Sequence, residues 1–242
     1  LKAIYFRVII LTDEIVILGL NYGAHDTSAC LMKNGKLIAA CEQERYTKQK
    51  HTRDFPRDAI NDCLKKANMS INDIHEIALS WEPKLLQEEN FENIISPSRK
   101  NFKIKDLKKL KELRLQDFNL ENFIRQELNF TGRITSHLHH LCHLASCYYP
   151  SGFNDALIIC HDAVGEIDCS LMATASKGNI SIFHRGNQWP NSLGLLYAAI
   201  TDYLGWKYNS DEGIVMGLAP YGDDTQFIKS GEKTYREIFK EI

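Results

Sequence analysis

The chain has 242 residues, 44% of them hydrophobic and 25% charged, with a formal net charge of -2. That length can bury a sizeable core in one large domain or two small ones, and so even a charge balance gives no electrostatic case for a nucleic-acid or anionic-membrane partner. Seven cysteines stand singly at positions 30, 41, 63, 142, 147, 160 and 169, mostly inside apolar runs and with no CxxC spacing, which points to thiols in a reducing cytoplasm rather than a disulfide framework.

Residues 1–14 read as an N-terminal extension, because Leu1–Leu11 is apolar but broken by Lys2 and Arg7; it is too short to span a bilayer and lacks a small-residue cleavage site. Val16–Leu20 has the pattern of a short buried strand, the loop Asn21–Asp26 interrupts it, and Thr27–Met32 resumes it. Lys33-Asn34-Gly35 is a hairpin signal and Lys36–Glu42 the return strand, so the spacing predicts a three-stranded meander. The first loop carries Gly23, His25 and Asp26, small and polar groups suited to approach a phosphate or a sugar hydroxyl, with a simple turn as the alternative. Glu42-Gln43-Glu44-Arg45 and Lys50-His51 read as the solvated, charged end of the third strand. Pro56 then precedes a helix over Arg57–Asn68, with Ala59, Ile60, Cys63, Leu64 and Ala67 at helical spacing, and Ile74–Ser80 is a further strand.

Residues 81–129 differ in character, being rich in Lys, Glu, Asn and Leu, and read as a helical insert over the sheet. Its basic cluster Lys100–Lys111 contains acidic residues and few aromatics, the composition of a solvated helix face rather than of a nucleic-acid surface.

A short strand, Arg133–His137, leads into His137-Leu138-His139-His140-Leu141-Cys142-His143, on a helix that ends before Pro150. Residues four apart lie on one helix face, so His139 and His143 can point at one atom. Asp162 directly follows the apolar run Ala156–His161, which sets it just beyond the carboxyl end of a strand, where open α/β sheets place their ligands. Two imidazoles and a carboxylate make a three-ligand metal site with vacant positions, a set that suits iron(II) and is compatible with zinc or manganese. Cys142 and Cys147 flank these histidines as core cysteines, with a thiolate ligand the alternative.

The opening pattern then returns: an apolar strand to His161, the polar loop Asp162–Glu166 with Gly165, a second strand Asp168–Ala175, a turn at Lys177-Gly178-Asn179 and a third strand Ile180–His184. Such self-similarity is the mark of an internal duplication. It predicts an α/β protein of two ribonuclease-H-like lobes facing a cleft, the first over 15–150 and the start of the second over 151–242. Leu193–Leu204 is helical, Asp211–Gly222 reads as a close-packed element beside the cleft, and Tyr235–Ile242 stops in the middle of a helical pattern, as a fragment of a longer protein would.

Taken together, Gly19–Ala29, Glu42–Arg45 with Lys50-His51 and Phe55-Pro56, His139–Ser146, Asp162–Glu166, Ser192–Tyr197 and Met216–Gly222 resemble the NodU/CmcH family of O-carbamoyltransferases, in family order from about residue 15 to 222. The resemblance implies an N-terminal domain of the actin-like ATPase superfold. It also implies a second, YrdC-like domain that makes carbamoyl-adenylate from ATP and carbamoyl phosphate, and transfer of the carbamoyl group to a hydroxyl of a small-molecule natural product or sugar. Carried across by motif, His139, His143 and Asp162 are the iron (Fe2+) ligands, and a further aspartate ligand would lie past residue 242. His25 and Asp26 are implied to orient or deprotonate the acceptor hydroxyl, and Gly23, Glu42, Arg45, Lys50, His51, Gly165 and Glu166 to contact substrate. Where the family commonly has Lys after Glu-Gly, this chain has Ile214, which withdraws a cationic phosphate contact from that position. The competing expectations are an ATP-dependent kinase or ATPase of the same superfold and an inactive, truncated metal-binding fragment.

Overall fold

The computed structural model describes residues 14–82, 120–189, 191–228 and 231–240; the expected N-terminal extension and most of the expected helical insert lie outside them. Among the described residues, strands β1 (Val16–Asn21), β2 (Ser28–Lys33) and β3 (Lys36–Glu42) form the meander, with β1–β2 and β2–β3 antiparallel. Asn34 and Gly35 between β2 and β3 both have positive φ, 50° and 75°, the backbone of the tight hairpin turn for which an Asn-Gly pair is suited. Val16, Leu18 and Leu20 alternate inward along β1. Helix α1 (Glu44–Thr47) follows and then α2 (Arg57–Ala67), whose Ala59, Ile60, Cys63 and Leu64 pack on the sheet.

The stretch expected to be a charged strand end is therefore corrected. Glu44–Thr47 is a helical turn, and Gln43 is buried, its side-chain oxygen accepting the Ala59 N–H at 3.1 Å and its amide donating to Asp58 at 2.8 Å. Pro56 leaves the start of α2 without a capping side chain of its own, and Gln43 takes up a backbone donor there that would otherwise be orphaned.

Strand β4 (Glu76–Leu79) runs parallel to β1, and β5 (Arg133–Ser136) parallel to β4, after helix α3 (Leu120–Leu128). The five-stranded order is β3-β2-β1-β4-β5, an antiparallel meander extended by two parallel strands, which is the ribonuclease-H-like lobe. Leu18, Leu31, Ile60, Ile77, Leu79 and Ile124 are fully buried in its core, each contributing about 1.5–3 kcal/mol by removal from water.

Helix α4 (His139–Tyr148) carries the histidines, and the antiparallel sheet β6 (Asp155–His161), β7 (Ser170–Ser176), β8 (Asn179–Arg185) follows it. Its hairpin turn, Lys177-Gly178, repeats the two positive φ angles of the first, 49° and 82°, so the second sheet reproduces the opening meander. Leu144 and Tyr148 of α4 pack with Ile158, Leu171, Ala173 and Ala175 in a second core.

The chain divides into two compact units, Leu1–Gly194 and Leu195–Ile242. Both sheets belong to the first unit. The second unit consists, among its described residues, of most of α5 (Leu193–Tyr203), then α6 (Glu212–Leu218) and α7 (Tyr235–Phe239), the last begun by a Thr234/Glu237 capping box. Asp211–Gly222, expected to be close-packed, is instead largely exposed, with Met216 and Tyr221 among the most open apolar side chains; no described element of its own unit covers them. Among the described residues no helix is long and apolar enough to cross a membrane.

Candidate functional site

The chemistry-bearing side chains gather where strands end. His25 and Asp26 lie in the loop after β1, Trp81 follows β4, His139 opens the helix after β5, and Asp162 leaves β6. Parallel strands of an α/β sheet turn into such loops at their carboxyl ends, which is where this class of sheet binds its ligands.

Helix α4 has two working stripes. His140, Leu144 and Tyr148, four apart, are its buried face; His139 and His143 form the adjacent stripe and meet Asp162. Their Nε2 atoms are 2.9 Å apart, and each lies near Asp162 Oδ2, at 3.2 and 3.3 Å. With a proton on one Nε2 the rings hydrogen-bond to each other or to Asp162; with Nε2 unprotonated on both, they turn lone pairs toward the point that the carboxylate also faces. A divalent cation satisfies that arrangement, and the donor set of two imidazoles and one carboxylate suits iron(II). Burial pushes the Asp162 carboxyl up, but the hydrogen bonds with His139 and His143 and the Ala163 N–H, which donates at 2.6 Å, outweigh it and hold the group well below the usual carboxylate range.

The neighbouring groups lock this geometry. Glu166, 5% exposed, accepts the Glu82 N–H at 2.9 Å and the His139 N–H at 3.1 Å on one oxygen, and reaches the His139 N–H at 3.2 Å with the other. It thus caps the first turn of α4, where a negative group also meets the positive end of the helix dipole. A Cβ on Gly165 would lie 2.3 Å from His140 Nδ1. At the two expected substrate contacts, Gly165 and Glu166, the loop is tight because buried His140 lies against it, and the Glu166 carboxylate holds two backbone donors. His140, 2% exposed, has no partner for either ring nitrogen among the described residues, and burial pushes its pKa down, keeping the ring neutral. Burial likewise drives the Cys142 thiol up to about 12, with Glu166 adding to the effect, and its sulfur is not among the donor atoms that converge with those of His139, His143 and Asp162.

A second cluster forms at the β1 loop. Asp26 Oδ2 is 2.6 Å from His25 Nδ1, and Asp26 Oδ1 is 2.9 Å from His51 Nδ1. Burial raises the Asp26 carboxyl, but the two imidazoles outweigh it and hold the group below its ordinary range. Gly23 has φ 104°, a backbone that disfavours any side chain. Glu42 and Arg45 pair with each other at 3.0 Å on the surface, and exposed Lys50 lies 3.9 Å from Glu44; they stand outside both histidine clusters.

Three residues to which the sequence reading gave no role, Trp81, Asn21 and Ser192, join the clusters. The Trp81 indole stacks on the His139 ring, centroids 4.0 Å apart and planes 19° from parallel. Its Nε1–H donates to Asn21 Oδ1 at 3.2 Å, while the Asn21 amide donates to the carbonyls of His25, at 3.2 Å, and Asp26, at 2.9 Å. The signal was positional: Trp81 is the second residue past β4, at a strand's carboxyl end, although the sequence assigns it to the insert. Ser192 Oγ donates to the Asp162 carbonyl at 2.8 Å, and a Cβ on Gly194 would fall 2.7 Å from Ala163, so the chain entering α5 packs directly on the Asp162 loop.

Fold and site thus define an α/β protein with a ribonuclease-H-like lobe and a two-histidine, one-aspartate constellation at the carboxyl ends of its strands. The family model described as carbamoyltransferase N-terminus matches residues 16–241, and the chain belongs to that family. It is 33% identical over 215 residues to the uncharacterized protein sll1178 of Synechocystis sp., covering 86% of this chain and 35% of that one. It is 34% identical over 203 residues to the nodulation protein NolNO of Sinorhizobium fredii, covering 84% and 28%. The chain therefore spans about a third of the length of these relatives. Among solved structures, YeaZ from Pseudomonas aeruginosa is similar at 13% identity and a TM-score of 0.38, over 73% of this chain and 68% of that one.

Proposed function

We propose that this chain is the acceptor-side part of an O-carbamoyltransferase acting in the cytoplasm, where its cysteines stay as free thiols. In the full-length protein a YrdC-like domain would make carbamoyl-adenylate from ATP and carbamoyl phosphate, and the part described here would deliver the carbamoyl group to a hydroxyl of a small-molecule natural product or sugar. The observation that carries this reading is the convergence of His139, His143 and Asp162 on one point in a chain that belongs to the carbamoyltransferase N-terminus family. These three residues would hold Fe2+ or a similar divalent ion, which when bound supplies Lewis-acid stabilisation of negative charge.

The chain's own residues then divide the remaining work. With Asp26 on its Nδ1, His25 carries its proton there and presents Nε2 as a proton acceptor, the role of an acid-oriented imidazole base. As the acceptor oxygen forms its bond to the carbamoyl carbon, the hydroxyl proton passes to His25 Nε2, and the bond from that carbon to the adenylate oxygen breaks with loss of AMP.

The test is to incubate the full-length protein with carbamoyl phosphate, ATP and a panel of hydroxylated sugars and natural products, and to follow AMP release and product mass. AMP release with a carbamoylated product, abolished by His25→Ala, is expected. Phosphate release from ATP without any carbamoylated product would replace this reading with an ATPase or kinase.

A further inference from the structure

The His25–Asp26–His51 cluster is tighter than an exposed hydrogen-bonding group requires. His25 is 58% exposed in its side chain and Asp26 and His51 are also open to solvent, and pairs of this kind add little to stability because water screens them. Yet the three side chains come from two separate loops and still bring one donor atom each to within 4.8 Å of one another. Two of the three residues, Asp26 and His51, hold φ at 58° and 57°, a left-handed backbone that side-chain-bearing residues adopt at a cost. Asn21 fixes the first loop through the carbonyls of His25 and Asp26, and the Thr27 N–H reaches the Thr52 carbonyl at 3.4 Å to tie the second loop to it. Strain of this kind, maintained around converging side chains, is characteristic of functional sites.

We infer that His25, Asp26 and His51 form a second divalent-cation site, separate from that of His139, His143 and Asp162, with His25 Nδ1, His51 Nδ1 and the Asp26 carboxylate as protein ligands and water completing the shell. Two neutral imidazoles and a carboxylate with an open position are the donor set of zinc and of the neighbouring first-row divalent metals. The rings stand edge to face, centroids 6.2 Å apart and planes 86° from parallel, so both Nδ1 atoms face the carboxylate without the rings colliding. Occupation has a chemical consequence, which rests on the base role proposed above. A metal on His25 Nδ1 leaves the ring's proton on Nε2, so the imidazole can only donate there; a cation in this site and deprotonation of a hydroxyl by His25 exclude each other, and excess zinc inhibits transfer.

Equilibrium dialysis of the 242-residue chain against zinc, read by elemental analysis, tests the site without recourse to activity. His51→Asn is the informative variant because asparagine tolerates the left-handed backbone that alanine would strain; His25→Gln is its second, and circular dichroism verifies that each folds. About two zinc ions per chain are expected for the unaltered protein and about one for His51→Asn, His25→Gln or His143→Ala. Zinc content unchanged in both His51→Asn and His25→Gln overturns the inference. Loss on His143→Ala alone would leave the first site standing and remove the second, whereas loss on His51→Asn alone would do the reverse.

Discussion

Glu166 is the sharpest test of how the proposed metal constellation is held. Replacing it with alanine removes the acceptor for the N–H groups of Glu82 and His139 and the anion at the start of α4. An unpaired part-buried donor costs about 1–3 kcal/mol, and loss of a charge at a helix N-terminus about 0.3–1 kcal/mol, so Glu166→Ala should destabilise the chain by about 2–5 kcal/mol when these are combined at partial burial. Glu166→Gln keeps an oxygen but turns an amide N–H toward donors, and should cost about half as much. In urea, with a slope of about 2 kcal/mol per molar, the alanine variant's midpoint should fall by roughly 1–2.5 M. Zinc or iron affinity at His139 should fall about 10–100-fold, since the backbone carrying that ligand loses its anchor. A substrate contact would behave oppositely, raising KM with stability and metal affinity unmoved. A midpoint within about 0.25 M of the unaltered chain would refute the reasoning.

Trp81→Ala removes the ring stacked on His139 and should weaken metal binding at that centre by roughly 10-fold or more; in the unaltered chain, iron(II) should quench indole fluorescence, and a titration in which Trp81→Ala loses none of that quenching contradicts the assignment. Gly165→Ala drives a methyl group into the buried His140 ring, so thermal or urea unfolding should reveal a loss of about 1–3 kcal/mol, the usual cost of overpacking; a neutral result would mean that the loop yields freely.

What could be read from the sequence was local or periodic. The Asn34-Gly35 and Lys177-Gly178 turns, the alternation of Val16, Leu18 and Leu20, and the four-residue spacing of His139 and His143 are each decided by a few neighbouring residues, because backbone handedness and side-chain period are properties of short segments. The repeated meander was visible for the same reason. The sequence did not reveal which partners those segments would meet. Gln43 looked like part of a charged strand end, and only the packing of α2 shows it buried on the Ala59 N–H. Glu166 has the composition of a ligand-contacting loop, and only the arrival of α4 from 27 residues away makes it a helix cap. Trp81 and Asn21 are 60 residues apart and acquire their role when β1 and β4 pair in parallel, bringing their carboxyl ends side by side. Residue type and spacing thus set which atoms could bind a cation, whereas strand order set which of them share a position, because convergence of long-range side chains is a property of the assembled sheet and of no single segment.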